Sequence, residues 1–422
     1  MSVALLSDLS SEEELRAYVA ESVARTPIID LHTHLYPASF GPLALSGIDN
    51  LLTYHYLIAE VLRARPDLAP AQFYSWSRAA QAELIWDELF VRRLPVSEAC
   101  RGVVTVLDKL GVPIGPDTLA LARERTSAAD PTAYAAEILA LANVSHVVMT
   151  NDPLDAVEHE VWHGGGGGDE HFLPALRIDS FLLDFAAAVP RLQAAGYAVA
   201  NDRSAQTQSE AQRWLRDWVQ RMRPVYLAAS MPPDFQVPAE TMSSWVVEQV
   251  IMPICTERNL PWAVMPGVRR QVNPALGQAG DGVANADLEW IRYMCATYPQ
   301  NRFLITVLAR ENQHELCVLA RKFSNLLPFG CWWFLNNPSL IEEMTRMRME
   351  LLGLSFVPQH SDSRILEQLI YKWDHFRPIL VRVLGDKLVD LQQAGLPITR
   401  EAIDRDVEAL LAGNFREFVD LA

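Results

Sequence analysis

The chain is poor in cysteine and in positive charge, and it has no apolar run long enough to suggest a membrane span. Five cysteines stand in 422 residues: Cys100, Cys255, Cys295, Cys317 and Cys331. They are odd in number, widely spaced and without a C-x-x-C, so neither a disulfide framework nor a zinc knuckle is expected, and reduced thiols suit a cytoplasmic protein. Lysines and arginines number 36 against 52 aspartates and glutamates, a formal net charge of −16. That balance repels nucleic acid and anionic membranes, so neither is an expected partner, and an anionic ligand would have to be met by local arginines. No cationic segment leads into an apolar core near the N-terminus, so export and membrane insertion are not expected. Internal repeats are lacking too. Gly164 to Gly168 is the one low-complexity tract, expected to be a mobile loop.

Half of the residues are hydrophobic and 21% are charged, a composition that builds a sizeable core rather than a disordered chain. Short apolar runs alternate with longer stretches of helical period, which argues for a parallel sheet. The runs are Ile28 to His34, His146 to Thr150, Ala175 to Asp179, Val225 to Ser230, Trp262 to Gly267, Phe303 to Leu308, Phe329 to Phe334 and Ser355 to Asp362. Eight of them fit a (β/α)8 TIM barrel, in which functional residues sit just past the carboxyl ends of the strands. The expected fold is therefore an α/β barrel with a helical insertion after the first strand and extra C-terminal helices. A single metal-dependent barrel domain would span 1–422, with 40–142 as the insertion or cap. Pro66, Pro70, Pro95 and Pro113 mark helix breaks within it. Ser10 to Glu14 reads as a capped start of an amphipathic helix, and Pro397 to Glu401 as the cap of the last one.

The strongest chemical signal is Ile28-Ile29-Asp30-Leu31-His32-Thr33-His34. Side chains alternate faces along a strand, so His32 and His34 point the same way, about 7 Å apart along the backbone, and can grip a metal. Barrel closure makes the first and last strands neighbours, which would bring Asp362 beside them. Two imidazoles and a carboxylate leave positions open for water or substrate, as a catalytic site requires. Such donors suit one divalent ion, with zinc the first choice and manganese, iron or cobalt as other fits. Hydrogen-bonded buried histidines with a capping Asp would be the structural alternative.

Other patterns are weaker. His159-Glu160-Val161-Trp162-His163 matches the H-E-x-x-H zinc-protease motif, but five glycines follow, each costing a helix about 1 kcal/mol. A solvated loop end is expected there. Arg177, Arg269, Arg270, Arg310 and Arg364 stand at run tips, where they could bind a carboxylate or phosphate or simply pair with surplus acids. Trp332 and Trp333 are adjacent, so one should face the interior and the other the helical layer; aromatic walls suit sugar faces, and large aromatics also serve as core. Tyr54-His55-Tyr56 opens the insertion, where a phenol or imidazole could reach the mouth.

Taken together, His32-Thr33-His34, His55-Tyr56, Gly330-Cys331-Trp332-Trp333-Phe334 and Asp362-Ser363-Arg364 resemble the uronate isomerases of the glucuronate isomerase type, within the amidohydrolase superfamily. The likeness covers nearly the whole chain. It implies a barrel enzyme that interconverts D-glucuronate with D-fructuronate and D-galacturonate with D-tagaturonate, around one metal held by His32, His34 and Asp362. It also implies carboxylate binding by Arg177 and Arg364, and proton transfer and hydroxyl binding by His55 and Tyr56, with Asp362 sharing the base role. Trp332 and Trp333 would contact a hexuronate substrate, and a homo-oligomer is expected. The chain departs from the family pattern at Met265-Pro266-Gly267, where many members carry a His, and at Asp202-Arg203, where they carry an Asp-His pair.

Two rival readings stand beside this one. A hydrolase or decarboxylase on the same barrel would use one metal, since the fourth run lacks the lysine, and the fifth and sixth the histidines, of two-metal hydrolases. A non-catalytic carboxylate-binding protein would hold its metal in a closed shell, and would unfold rather than fall silent on losing it.

Overall fold

The computed structural model describes residue 9, residues 11–127 and residues 130–421. Ser10 lies outside them, but Ser11 caps the helix Glu12–Arg25 by accepting from the Glu14 amide. Nine strands follow in chain order among the described residues: β1 (Ile28–Thr33), β2 (Val144–Asn151), β3 (Phe172–Arg177), β4 (Leu227–Met231), β5 (Trp262–Pro266), β6 (Val268–Arg269), β7 (Gly282–Val283), β8 (Phe303–Ile305) and β9 (Leu326–Pro328). β6 and β7 pair only with each other, as an antiparallel ribbon. The other seven form one curled parallel sheet in the order β1-β2-β3-β4-β5-β8-β9.

An irregular eighth stave completes the barrel. Phe329 bridges Val357, whose amide donates to Pro328 at 3.0 Å while its carbonyl accepts from Gly330 at 2.8 Å. On its other side the Asp362 amide donates to the His32 carbonyl at 3.2 Å and the His34 amide to Ser363 at 2.8 Å. Residues 355–363 thus link β9 to β1 without being a regular strand, which corrects the expected eighth run.

The seventh run is also displaced, to Leu326–Pro328. Gly330 and Trp333 take positive φ, 62° and 46°, which stops the ladder and makes 329–335 a loop past the strand tip. The third begins earlier than expected, at Phe172, because Pro174 is tolerated inside it; its carbonyl accepts from Val225.

Parallel strands are covered on both faces, which is why these runs are apolar throughout. Ile29, Leu31, Val148, Ala175, Ala228, Ala263 and Leu304 fill the interior, joined by Ala412 and Phe415 of the C-terminal segment. Ile28, Val147, Leu176, Leu227, Val264 and Ile305 face the helices. Between β1 and β2 come short helices, among them His55–Ala64, Arg78–Trp86, Glu98–Lys109 and Pro131–Ala142, with breaks at the prolines read from the sequence. The helix Gln368–Gln393 packs behind the closing stave, and Thr399 caps Arg400–Glu408. No helix among the described residues is long and apolar enough to cross a membrane.

Candidate active site

β1 does not deliver its histidines by simple alternation. Ile29 and Leu31 occupy the interior, so strict period two would send His32 outward to the helices. The pairing with β2 is irregular between Asp30 and Thr33, and such a bulge re-aims side chains. His32 turns inward to Tyr226, its Nδ1 3.3 Å from the phenol oxygen. Asp30 stays on the outer side and accepts from the Ser361 amide at 3.1 Å and from the Trp373 indole at 3.0 Å. It thereby pins the stave that carries Asp362.

The three proposed ligands do converge. Their donor atoms lie within 4.8 Å of one another, with His32 Nε2 3.8 Å and His34 Nε2 3.4 Å from Asp362 Oδ1. His32 is 1% exposed and Asp362 8%. Asp362 has φ 53°, a left-handed conformation that an Asp tolerates better than most residues.

Hydrogen bonds fix both imidazole tautomers. The Tyr226 hydroxyl donates to the Leu31 carbonyl at 2.6 Å, so its oxygen can only accept from His32 Nδ1–H. Likewise the Thr150 hydroxyl donates to the Thr33 carbonyl at 3.1 Å and accepts from His34 Nδ1–H at 2.9 Å. Each Nε2 is left with its lone pair facing Asp362. Burial, then the neighbouring imidazole, lowers His32 to about 3, and burial followed by the Arg364 charge drives His34 well below the ordinary value. Two neutral imidazoles beside a carboxylate form no ion pairs and could together hold a metal. The orphaned, buried His32 Nε2 and Asp362 Oδ1 fit a divalent cation.

Around this centre the predicted residues separate. Arg364 follows Asp362 and lines, with Tyr54 and His55, a cleft of about 840 Å³ between the insertion and the loop after β5. Its Nε is buried and unpartnered. Arg177, at the tip of β3, is held by Asp179 at 2.9 Å, which also accepts from the Ser230 amide at 3.0 Å. Arg270 and Arg310 pair outward with Asp281 and Glu343. Trp332 joins the interior cluster, while Trp333 turns to the insertion, its ring 5.4 Å from His55. His55 is lowered to about 3 by burial, and burial raises the Tyr56 phenol well above its ordinary value.

His159 and His163 lie on a helix, Ala156–His163, and not at a loop end as expected, stacked 4.1 Å apart against Trp218. The only cluster of metal-ligating type among the described residues is His32, His34 and Asp362. Sequence reasoning missed Tyr226 and Thr150 and the part Asp30 plays, whereas Tyr54 belongs to the stretch it named, its hydroxyl beside Arg364 and Tyr56. It also missed the pair that shapes the closing loops: Gly330, where any Cβ would meet His360, and the buried Arg348, which donates to the Gly330 carbonyl at 2.8 Å.

A uronate isomerase from Bacillus halodurans is 48% identical to this chain, with 98% of each chain covered and a TM-score of 0.96. The chain belongs to the uronate isomerase family. A uronate isomerase from Thermotoga maritima and a glucuronate isomerase from Caulobacter crescentus, each 15% identical with a TM-score of 0.76 over at least 97% of either chain, share the barrel fold. The chain matches no protein-family model and no curated protein.

Proposed function

We propose that the protein interconverts hexuronates as an aldose–ketose isomerase, D-glucuronate with D-fructuronate and D-galacturonate with D-tagaturonate. The observation that carries this reading is the meeting of two tautomer-locked imidazoles, one carboxylate and the arginines at the same barrel mouth, in a chain 48% identical to a uronate isomerase. Isomerisation moves a proton from C2 to C1. The C2–H bond breaks, its electron pair forms a C1=C2 bond, and the carbonyl pair moves onto the C1 oxygen. The C2 hydroxyl then gives its proton to the C1 oxygen, the C2 oxygen becomes the carbonyl, and the C1=C2 pair takes up at C1 the proton first removed from C2.

A divalent ion held by His32, His34 and Asp362 would supply Lewis acidity toward the substrate oxygens. The Asp362 carboxylate takes the C2 proton. Tyr56, kept protonated by burial, donates a hydrogen bond to the developing oxyanion. His55, neutral and with an unpartnered Nε2, accepts from a sugar hydroxyl. Arg364 and Arg177 hold the C6 carboxylate, and Trp332 and Trp333 wall the sugar, so that C1 and C2 stay between base and acid.

Proton NMR of glucuronate and galacturonate, incubated in D2O with the metal-loaded protein, tests this. Loss of the C2 proton signal with ketose formation is expected. Inertness across the hexuronates would discard the reading.

A further inference from the structure

Lys372 is a buried charge that the chemistry above does not use. It sits on the helix Gln368–Gln393 between Tyr371 and Trp373 and is 6% exposed. Among the described residues it makes no ion pair and no hydrogen bond; its ammonium lies instead over two phenol rings, 5.6 Å from the centroid of Tyr56 and 5.2 Å from that of Tyr371. The carboxylates whose fields reach it are Asp362, Glu98 and Asp30. Each is engaged elsewhere. Glu98 accepts from His375 at 2.6 Å and from Arg101 at 3.0 Å, Asp30 accepts from Ser361 and Trp373, and Asp362 belongs to the metal centre.

An unpaired ammonium is costly to bury, and helical packing alone would be served by Leu or Met at this position. Burial brings Lys372 down only to about 8, which leaves it charged at neutral pH. A cation over an aromatic face is attracted to the ring, and the attraction strengthens as the ring gains negative charge. Tyr56 gains such charge whenever its hydroxyl donates a hydrogen bond to an oxyanion, because the O–H pair then shifts toward the phenol oxygen.

We propose that Lys372 is a positioning residue that acts through Tyr56, fixing its ring and stabilising it as it donates to the oxyanion formed in proton transfer. This rests on the isomerase reading of the site. Lys372 touches no reacting atom, so its effect belongs in kcat and not in KM, and it disappears when the Tyr56 hydroxyl is gone.

The test compares wild type, Lys372→Met, Lys372→Arg, Tyr56→Phe and the double variant Tyr56→Phe with Lys372→Met, all metal-loaded. Met keeps the length of the side chain and removes the uncompensated charge, so its melting temperature should equal or exceed that of wild type. Its kcat should fall roughly 10- to 30-fold with KM within about twofold, and Arg should restore most of it. In the Tyr56→Phe background the same substitution should cost less than about threefold. Full activity of Lys372→Met would overturn the proposal, as would a loss confined to KM or an equal loss with and without the Tyr56 hydroxyl. If Lys372→Met melts too low to assay, the Arg variant decides: wild-type kcat upholds a role for the charge, and a loss like that expected of Met refutes it. A wild type inert on hexuronates would instead sink the isomerase reading itself.

Discussion

His34 Nε2 and Asp362 Oδ1 face each other at 3.4 Å with no proton to share. His34 gives its one ring proton to Thr150 from Nδ1, and burial keeps it neutral, so two lone pairs are held against each other. Opposed acceptors at that distance repel unless a cation lies between them. One equivalent of divalent metal per chain is therefore expected by elemental analysis after dialysis. His32→Ala and His34→Ala should each lose it, with isomerase activity down by about a thousandfold or more and the far-ultraviolet circular dichroism unchanged. Metal retained in both variants would remove these residues from the site.

Arg364 and Arg177 make a second prediction. Their charges both reach His34, yet Arg177 is already paired with Asp179, whereas the Arg364 Nε has no partner. Arg364→Met should therefore be the more damaging, raising KM for a hexuronate by about a hundredfold through loss of a bidentate charged contact. Arg177→Met should cost roughly tenfold. Steady-state kinetics on one uronate, run in parallel, decide the order; equal or reversed effects would place the carboxylate elsewhere.

The candidate ligands were legible in the sequence because their signal is local. His-x-His at the end of an apolar run points to little besides a metal, and barrel closure supplied Asp362. The bulge that aims His32 inward was not legible, since no residue type between Asp30 and Thr33 announces it. The seventh run was misplaced for a related reason: Phe329 to Phe334 has strand composition, but Gly330 and Trp333 take a backbone that composition does not reveal. Tyr226 and Thr150 are hydroxyl residues in apolar runs, recognisable as tautomer locks only once the histidines stand beside them.

Gly330 offers a test of that closing loop. With φ 62°, a Cβ here would lie 1.6 Å from His360 Nδ1, and His360 is boxed in by the rings of His32 and Phe329. Gly330→Ala should destabilise the protein by more than about 3 kcal/mol and abolish activity. Thermal or urea unfolding checks it, and a midpoint equal to wild type would show that the loop can shift freely.

Glu158 carries a pH prediction. Its buried carboxyl accepts from Asn151 at 2.9 Å, from the Asp152 amide at 3.1 Å and from Tyr36 at 3.2 Å, and desolvation raises it to about 7. A carboxyl raised in the folded state binds its proton more tightly there than in the unfolded chain. Its contribution is thus fully present below its ordinary value of 4.5 and is lost as pH climbs to about 7. Glu158→Gln can keep each contact, with its amide nitrogen facing the Tyr36 oxygen, while removing the titration. The variant should gain on wild type between pH 5 and 8 by roughly 1 to 3 kcal/mol. Parallel melting curves across that range would refute the assignment.

Tyr226→Phe isolates what the tautomer lock is for. The substitution keeps the ring that fills the barrel interior and removes one oxygen. Without it the Leu31 carbonyl loses a donor and His32 Nδ1–H an acceptor, so the imidazole is free to turn or to place its proton on Nε2, where a metal would bind. Losing the hydrogen bonds alone should cost about 1 to 3 kcal/mol of folding stability. Losing the lock should also weaken metal binding by about 10- to 100-fold, the usual effect of removing a partner that orients a ligand. Competition with a chelator measures the second quantity independently of catalysis. Thr150→Val should act in the same direction through His34. Were Tyr226→Phe to lower the melting temperature while leaving metal affinity untouched, the phenol would be core packing, and His32 would be held by the closing stave alone.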